Sequence, residues 1–181
     1  RYEWTIVQKP TYSAATLTPS DTIADPKLFL DLAGNYEVEL RVYDNEDKVS
    51  CQTARVSILA IPGEDIYVQL VWDTPSDADQ TDPFGTDLDL HYLHPSGRWD
   101  EDPYDIFWRN PEADWGVVGN ASDDPSLDID DTNGRGPEVI NHDNPASNKT
   151  YTVGVYYYSS NGFSSSYATV RIYIQGQLQF E

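Results

Sequence analysis

Asp87-Leu88-Asp89 and Asp128-Ile129-Asp130 each alternate an acid with an apolar residue, and Asp131 follows the second run directly. In an extended chain every second side chain points the same way, so each run offers two carboxylates on one face. Brought together, two such segments make an all-oxygen site. Calcium takes about six to eight hard oxygen ligands at roughly 2.3–2.6 Å, whereas magnesium keeps its waters and rarely has a cage of this kind. Carboxylates held close repel one another and raise their own pKa values, a strain that a divalent cation relieves. The expected cation is therefore calcium (Ca2+). Asp87, Asp89, Asp128 and Asp130 are its expected ligands, with Asp131, Asn110 and Glu138 as further oxygen donors. The alternative is a solvated sheet face, the usual meaning of a lone Asp-x-Asp. Aspartate is a poor strand residue, however, and two alternating runs in one chain are rarer.

Other chemistries find less support. Asp128 to Gly134 approaches the EF-hand loop pattern, but Asp131 breaks the alternation and no helices flank it. His91 falls on the face of Asp87 and Asp89, so Asp-x-Asp-x-His is open to zinc or iron, although one histidine among acids is more often a surface residue. No Gly-x-Ser-x-Gly elbow occurs, and Cys51 has no histidine nearby in sequence. The acids sit among other acids and turns, not in the apolar niche that a general acid requires. No catalytic residues and no enzymatic activity are expected. The aromatic stretch with Trp99, Trp108 and Trp115 is either a sugar-stacking platform or a loop buried by its own rings.

The whole chain narrows the partners. Its 181 residues carry a net charge of −20, and the pI is about 4.1. Nucleic-acid binding needs a basic surface, and an anionic membrane would repel such a chain. The acids crowd between Asp73 and Asp131 with few bases interleaved, which favours bound cations over general solubility. Hydrophobic residues at 39% are ample for a core. The single cysteine allows no internal disulfide. The lack of methionine suggests a mature or excised fragment. No apolar run reaches transmembrane length.

The elements that must position these residues are strands. Tyr36 to Tyr43 alternates apolar and polar residues between turn signals at Gly34-Asn35 and Asp44 to Asp47. Thr53–Ile58 reads as the next strand, and Leu28 and Phe29 as part of an earlier one. Ile61-Pro62-Gly63 punctuates the chain, giving domains 1–61 and 62–181. Asp65–Trp72 and Asp87–Tyr92 are strands in the second part, and Ser126–Asp131 is a short strand or extended loop. Thr150–Tyr158 and Ser166–Ile174 are expected to form a hairpin over Asn161-Gly162, with Gln177–Phe180 closing a sheet. The expected fold class is all-β, with two β-sandwich domains in tandem.

Two resemblances follow from motifs. Tyr2-Glu-Trp4, then Gly34-Asn-Tyr36-Glu-Val38-Glu-Leu40-Arg-Val42 and Asp44, resembles the PKD domain, an immunoglobulin-like module of surface proteins, over residues 1–61. The strands that normally precede the Tyr-x-Trp motif are not in the sequence, so a truncated module is expected, with its edge open to strand addition. Gly85-Thr-Asp-Leu-Asp-Leu-His91, Trp108-x-Asn110 and Leu127 to Glu138 resemble the YfaP-type secreted bacterial domains, over residues 65–181. That resemblance implies an extracellular or cell-surface location, possible lipoprotein anchoring in the full-length chain, and binding without activity. The function expected is a calcium-binding adhesion or surface-assembly module whose partners are other surface proteins or glycans. A carbohydrate-binding module of a secreted hydrolase, and a filament subunit assembling by β-strand donation, stay open as alternatives.

Overall fold

The computed structural model describes all 181 residues. It is an all-β chain whose only helical segment is a 3-10 turn at Ala121–Asp123. The chain divides into two compact units, Arg1–Ile61 and Pro62–Glu181.

In the first unit, β1 (Tyr2–Gln8), β4 (Gly34–Val42) and β5 (Ala54–Ala60) form an antiparallel sheet in the order β1-β4-β5, and β2 (Leu17–Thr18) pairs with β3 (Lys27–Leu28) as a short ribbon. Alternation in β4 decides its two faces. Tyr36 and Val38 are buried, while Glu37 and Glu39 turn to the opposite face and pair with Arg55 at 2.8 and 2.7 Å. The Tyr36 hydroxyl closes the turn before it, accepting from the Leu32 N–H at 3.1 Å and donating to the Leu32 carbonyl at 2.9 Å. Phe29, expected in a strand, lies just past β3 and is exposed.

The second unit is a sandwich of two antiparallel sheets. β6 (Ile66–Asp73), β9 (Pro125–Ile129), β10 (Glu138–His142), β12 (Tyr167–Ile174) and β13 (Gln177–Phe180) form one sheet in the order β13-β12-β6-β10-β9. β7 (Asp87–Leu93), β8 (Asp105–Ile106) and β11 (Thr152–Ser159) form the other in the order β11-β7-β8. Val68, Leu70, Trp72 and Ile140 from the first meet Leu88, Leu90, Tyr92 and Ile106 from the second. Strand β11 pairs with β7, and β12 with β6 and β13. The expected β11–β12 hairpin is therefore not formed. The segment around Asn161-Gly162 carries the chain from one sheet to the other, because each strand finds its apolar partner face across a different neighbour.

Two glycines let the loop after β9 close on the start of β7. A Cβ on Gly85 would lie 2.2 Å from the Gly134 Cα, and one on Gly134, whose φ is +102°, would lie 2.6 Å from the Gln80 carbonyl. An isolated bridge joins Thr86 to Gly134 at this point. Gly134→Ala combines a positive φ with a backbone clash and is expected to lower stability by about 1–3 kcal/mol. Gly63→Ala, whose Cβ would meet nothing within 4 Å, should change it by less than about 0.5 kcal/mol. Denaturant midpoints of the two variants check this.

Candidate functional site

Strand β7 is buried on both sides. Leu88, Leu90 and Tyr92 enter the core, so Asp87, Asp89 and His91 face outward, yet they are only 8%, 4% and 5% exposed. The segment after β7 roofs them: Phe107 stacks on the His91 ring at 4.8 Å, and Trp99 meets it edge-on at 5.9 Å. From β11, Tyr156 lies opposite Asp89, and a register shift between Tyr157 and Ser159 leaves Tyr158 out of the pairing. Trp108 and Tyr158 meet edge to face at 6.0 Å. Asp87, Asp89, Asp130, Thr132, Trp108 and Tyr158 line a cleft of about 190 Å³.

The carboxylates here lack counter-charges. Asp87 Oδ1, Asp89 Oδ2 and Glu138 Oε1 are buried without a hydrogen-bond partner. The ion pairs of the second unit are His91–Asp105 and Arg171–Glu181, neither of which involves these groups. Burial, with Asp130 and Asp131 adding repulsion, pushes Asp87 up to about 6. Burial and then Asp87 do the same to Asp89, against a smaller opposing influence of His91. Glu138 is pushed up to about 10, first by burial. Its Oε2 accepts the Leu90 N–H at 2.5 Å, an interaction that lowers its pKa, while Asp130 within hydrogen-bonding reach raises it. Glu138 reaches Leu90 because Glu138, Ile140 and His142 alternate onto the inner face of β10. The Leu90 N–H is open because β8 pairs only with Tyr92 and Leu93.

The structure corrects part of the expected ligand set. Asp128 does not join Asp87 and Asp89. Val139 pairs with Ile129 and Ile140 with Leu127, so Asp128 sits in a bulge. Its exposed carboxylate accepts from the Ser126 hydroxyl at 2.5 Å and from the Asn141 amide. Asp130, past the strand end, turns into the cleft instead. Asp131 is half-buried, and its carboxylate accepts from the Asn133 N–H at 3.1 Å; burial raises its pKa. Asn110 donates to the Asp105 carbonyl at 2.7 Å and pairs with Phe107, so it holds the turn and is not among the cleft residues. Trp115 is not a surface platform. It is 5% exposed and stacks on Tyr92 and Tyr151 within the core. Trp99 and Trp108 are each 44% exposed.

No group of three or more His, Cys, Asp or Glu side chains stands close enough together to hold a metal ion as placed. The carboxylates line a cleft without converging on one point. What they share is oxygen donors with buried atoms that lack partners.

Sequence reasoning missed the Asp105–His91 pair. Asp105 is fully buried, and its Oδ2 meets His91 Nδ1 at 2.8 Å and accepts the Asp100 N–H at 2.8 Å. Nothing in the spacing of Asp105 announces this, since β8 is two residues long. His91 also lines a neighbouring cleft of about 350 Å³ with Trp99, Asp100 and Tyr156.

No protein-family model, curated protein or solved structure matches the chain.

Asp87, Asp89 and Glu138 bind protons more tightly folded than unfolded, so their contribution to stability is full below the unfolded carboxylate values and is lost as pH rises through the folded ones. With divalent cations chelated, the melting temperature should fall as pH rises from 3.8 to about 6 and beyond. Asp89→Asn should flatten that fall, and thermal melts across this range read both.

Proposed function

We propose that this chain is an extracellular calcium-binding module for adhesion or surface assembly, without catalytic activity, and that its two parts are PKD-like and YfaP-like. One observation carries the cation reading: Asp87 and Asp89, more than nine-tenths buried, each leave a carboxylate oxygen unpartnered in a cleft they share with Asp130. Burying an unpaired carboxylate costs several kcal/mol, so these oxygens take either protons or a cation. Several carboxylates exceed the charge of one ammonium or sodium ion, which favours a divalent cation. The donors are all hard oxygens, which favours calcium over zinc or copper. Asp87, Asp89 and Asp130 would supply the central ligands. Glu138, joined to Leu90 through its other oxygen, would contribute from beneath. Asp131 is better placed to hold the loop than to bind the ion.

His91 is the residue that an enzymatic reading would use. Its hydrogen bonding is to Asp105 alone and its ring is covered by Phe107, so no nucleophile is poised against it. This cleft joins β7, β11 and the loop after β9, which a bound ion would tie together.

Millimolar calcium, the range of extracellular modules, should raise the melting temperature at neutral pH, and a chelator should reverse this. At 100-fold excess over Kd the stabilisation is about 2.7 kcal/mol. Asp89→Asn should abolish the response. Glu138→Gln, which keeps an acceptor for Leu90, should fold normally and weaken it. Identical melts with calcium and with chelator would sink the reading.

A further inference from the structure

We infer that the cleft between Trp99 and Tyr156 binds a protonated primary amine, whose N–H groups reach the free nitrogen of His91 and the Asp100 carboxylate while its methylenes lie against the two rings. The calcium reading plays no part in it.

The first observation is His91. It is 5% exposed and lines a cleft of about 350 Å³ with Trp99, Asp100, Gly154, Val155 and Tyr156. That volume falls within the roughly 300–1,000 Å³ of small-molecule sites. His91 Nδ1 meets Asp105 Oδ2 at 2.8 Å. The same oxygen accepts the Asp100 N–H at 2.8 Å, which marks it as an acceptor and puts the ring proton on Nδ1. Nε2 is left with a lone pair. It has no hydrogen-bond partner in the protein, yet it is not among the polar atoms sealed from solvent, so it opens on the cleft. Phe107 stacks on the ring at 4.8 Å and holds it in that direction.

The second observation is Asp100. Its backbone adopts a left-handed φ of +63° and is pinned on both sides. The N–H goes to Asp105, and the carbonyl accepts from Arg109 Nη2 at 2.8 Å. Arg109 meets that carbonyl and the Phe107 ring, not the Asp100 carboxylate. The ion pairs of this unit, His91–Asp105 and Arg171–Glu181, leave the Asp100 carboxylate without a counter-charge.

The third is the aromatic wall. Trp99 and Tyr156 meet His91 edge-on at 5.9 and 6.4 Å, and they remain 44% and 57% exposed. Trp99 packs over Gly154, where a Cβ would lie 2.9 Å from its ring. A side chain locked in this way loses little entropy on binding. Aromatic faces attract an ammonium and the methylenes beside it.

These features discriminate between ligands. An anion meets Asp100 and a net charge of −20. A neutral alcohol leaves the charge of Asp100 unmatched. A quaternary ammonium suits the rings but brings no N–H to His91 or Asp100. A metal ion finds one imidazole and one carboxylate, too few for a site. A primary ammonium has three donors and serves the imidazole, the carboxylate and the rings at once.

The test titrates the full chain with butylammonium, butanol, butyrate, tetramethylammonium and Nα-acetyl-lysine amide. Chelator is present throughout, so the result is independent of bound calcium. Butylammonium should bind at least about tenfold more tightly than butanol, butyrate or tetramethylammonium. Asp100→Asn, which tolerates the same positive φ, should weaken it about tenfold, as should Trp99→Leu and Tyr156→Leu. Trp99→Phe should recover most of the loss, and melting temperatures check that each variant is folded. In the imidazole nitrogen spectrum the His91 Nε2 signal should move on binding while those of His94 and His142 stay. Both amines binding assigns a lysine side chain of a partner protein, and butylammonium alone assigns a free amine. Tetramethylammonium or butanol binding as tightly as butylammonium overturns the inference. So does unchanged affinity in Asp100→Asn, a stationary His91 signal, or no binding of either amine, and none of these touches the calcium-dependent melting shift.

Discussion

Strand β7 can place Leu88, Leu90 and Tyr92 between two sheets only by turning Asp87, Asp89 and His91 the other way. The two-residue period of a strand leaves no third arrangement. An ordinary antiparallel sheet would give that other face to water, where carboxylates stay solvated. Here the segment from Trp99 to Trp115 folds back over it, seats Phe107 on His91 and buries Trp115 in the aromatic cluster around Tyr92. The acids are held between a core they cannot enter and a roof that leaves them little contact with solvent outside the cleft.

The chemistry follows from that confinement. Burial raises the proton affinity of Asp87, Asp89 and Glu138 before any neighbouring charge is considered. Their protonation and the stability of the fold are therefore linked, and the pH response reports their burial. Glu138 has a second duty. With one oxygen it closes the open β7 edge at Leu90, which a short β8 cannot reach, and its other oxygen stays free toward Asp130. His142 crosses the sandwich in the same way, meeting the Tyr92 hydroxyl at 3.0 Å. The inner face of β10 thus ties the two sheets at both ends through polar contacts around Ile140.

Small residues make the assembly possible. Gly85 and Gly134 let two backbones approach where a side chain on either would collide, and Gly154 leaves room for Trp99. The glycines bring Asp130 to the acids of β7, and the packed tryptophan gives the neighbouring cleft a rigid wall. The clefts at Asp89 and at His91 both lie against the outward face of β7.

Alternation over Tyr36–Val42, Ile66–Trp72 and Asp87–Tyr92 was legible because residue types alternate with the two-residue period of a strand, and the all-β class follows from it. The pairing of Asp87 with Asp89 on one face was legible for the same reason. So was Asp130, but only as the partner of Asp128. A bulge at Asp128, set by how β9 pairs with β10, separated the two, and no local spacing encodes a bulge between strands. The β11–β12 pairing failed likewise, since two adjacent alternating runs read as a hairpin whether they pair with each other or with strands in opposite sheets. Trp115 and Trp99 belong to one aromatic stretch, and only the packing against Tyr92 or over Gly154 decides which is buried and which is presented. The sequence alone determined the long alternating strands, the acidity and the shared face of Asp87 and Asp89, because these depend on local period and residue type, whereas β2, β8 and β10 carry no such period long enough to read. The tertiary structure decided the burial of those acids, the entry of Asp130 and Glu138 and the aromatic walls, because each depends on contacts between segments far apart in the chain.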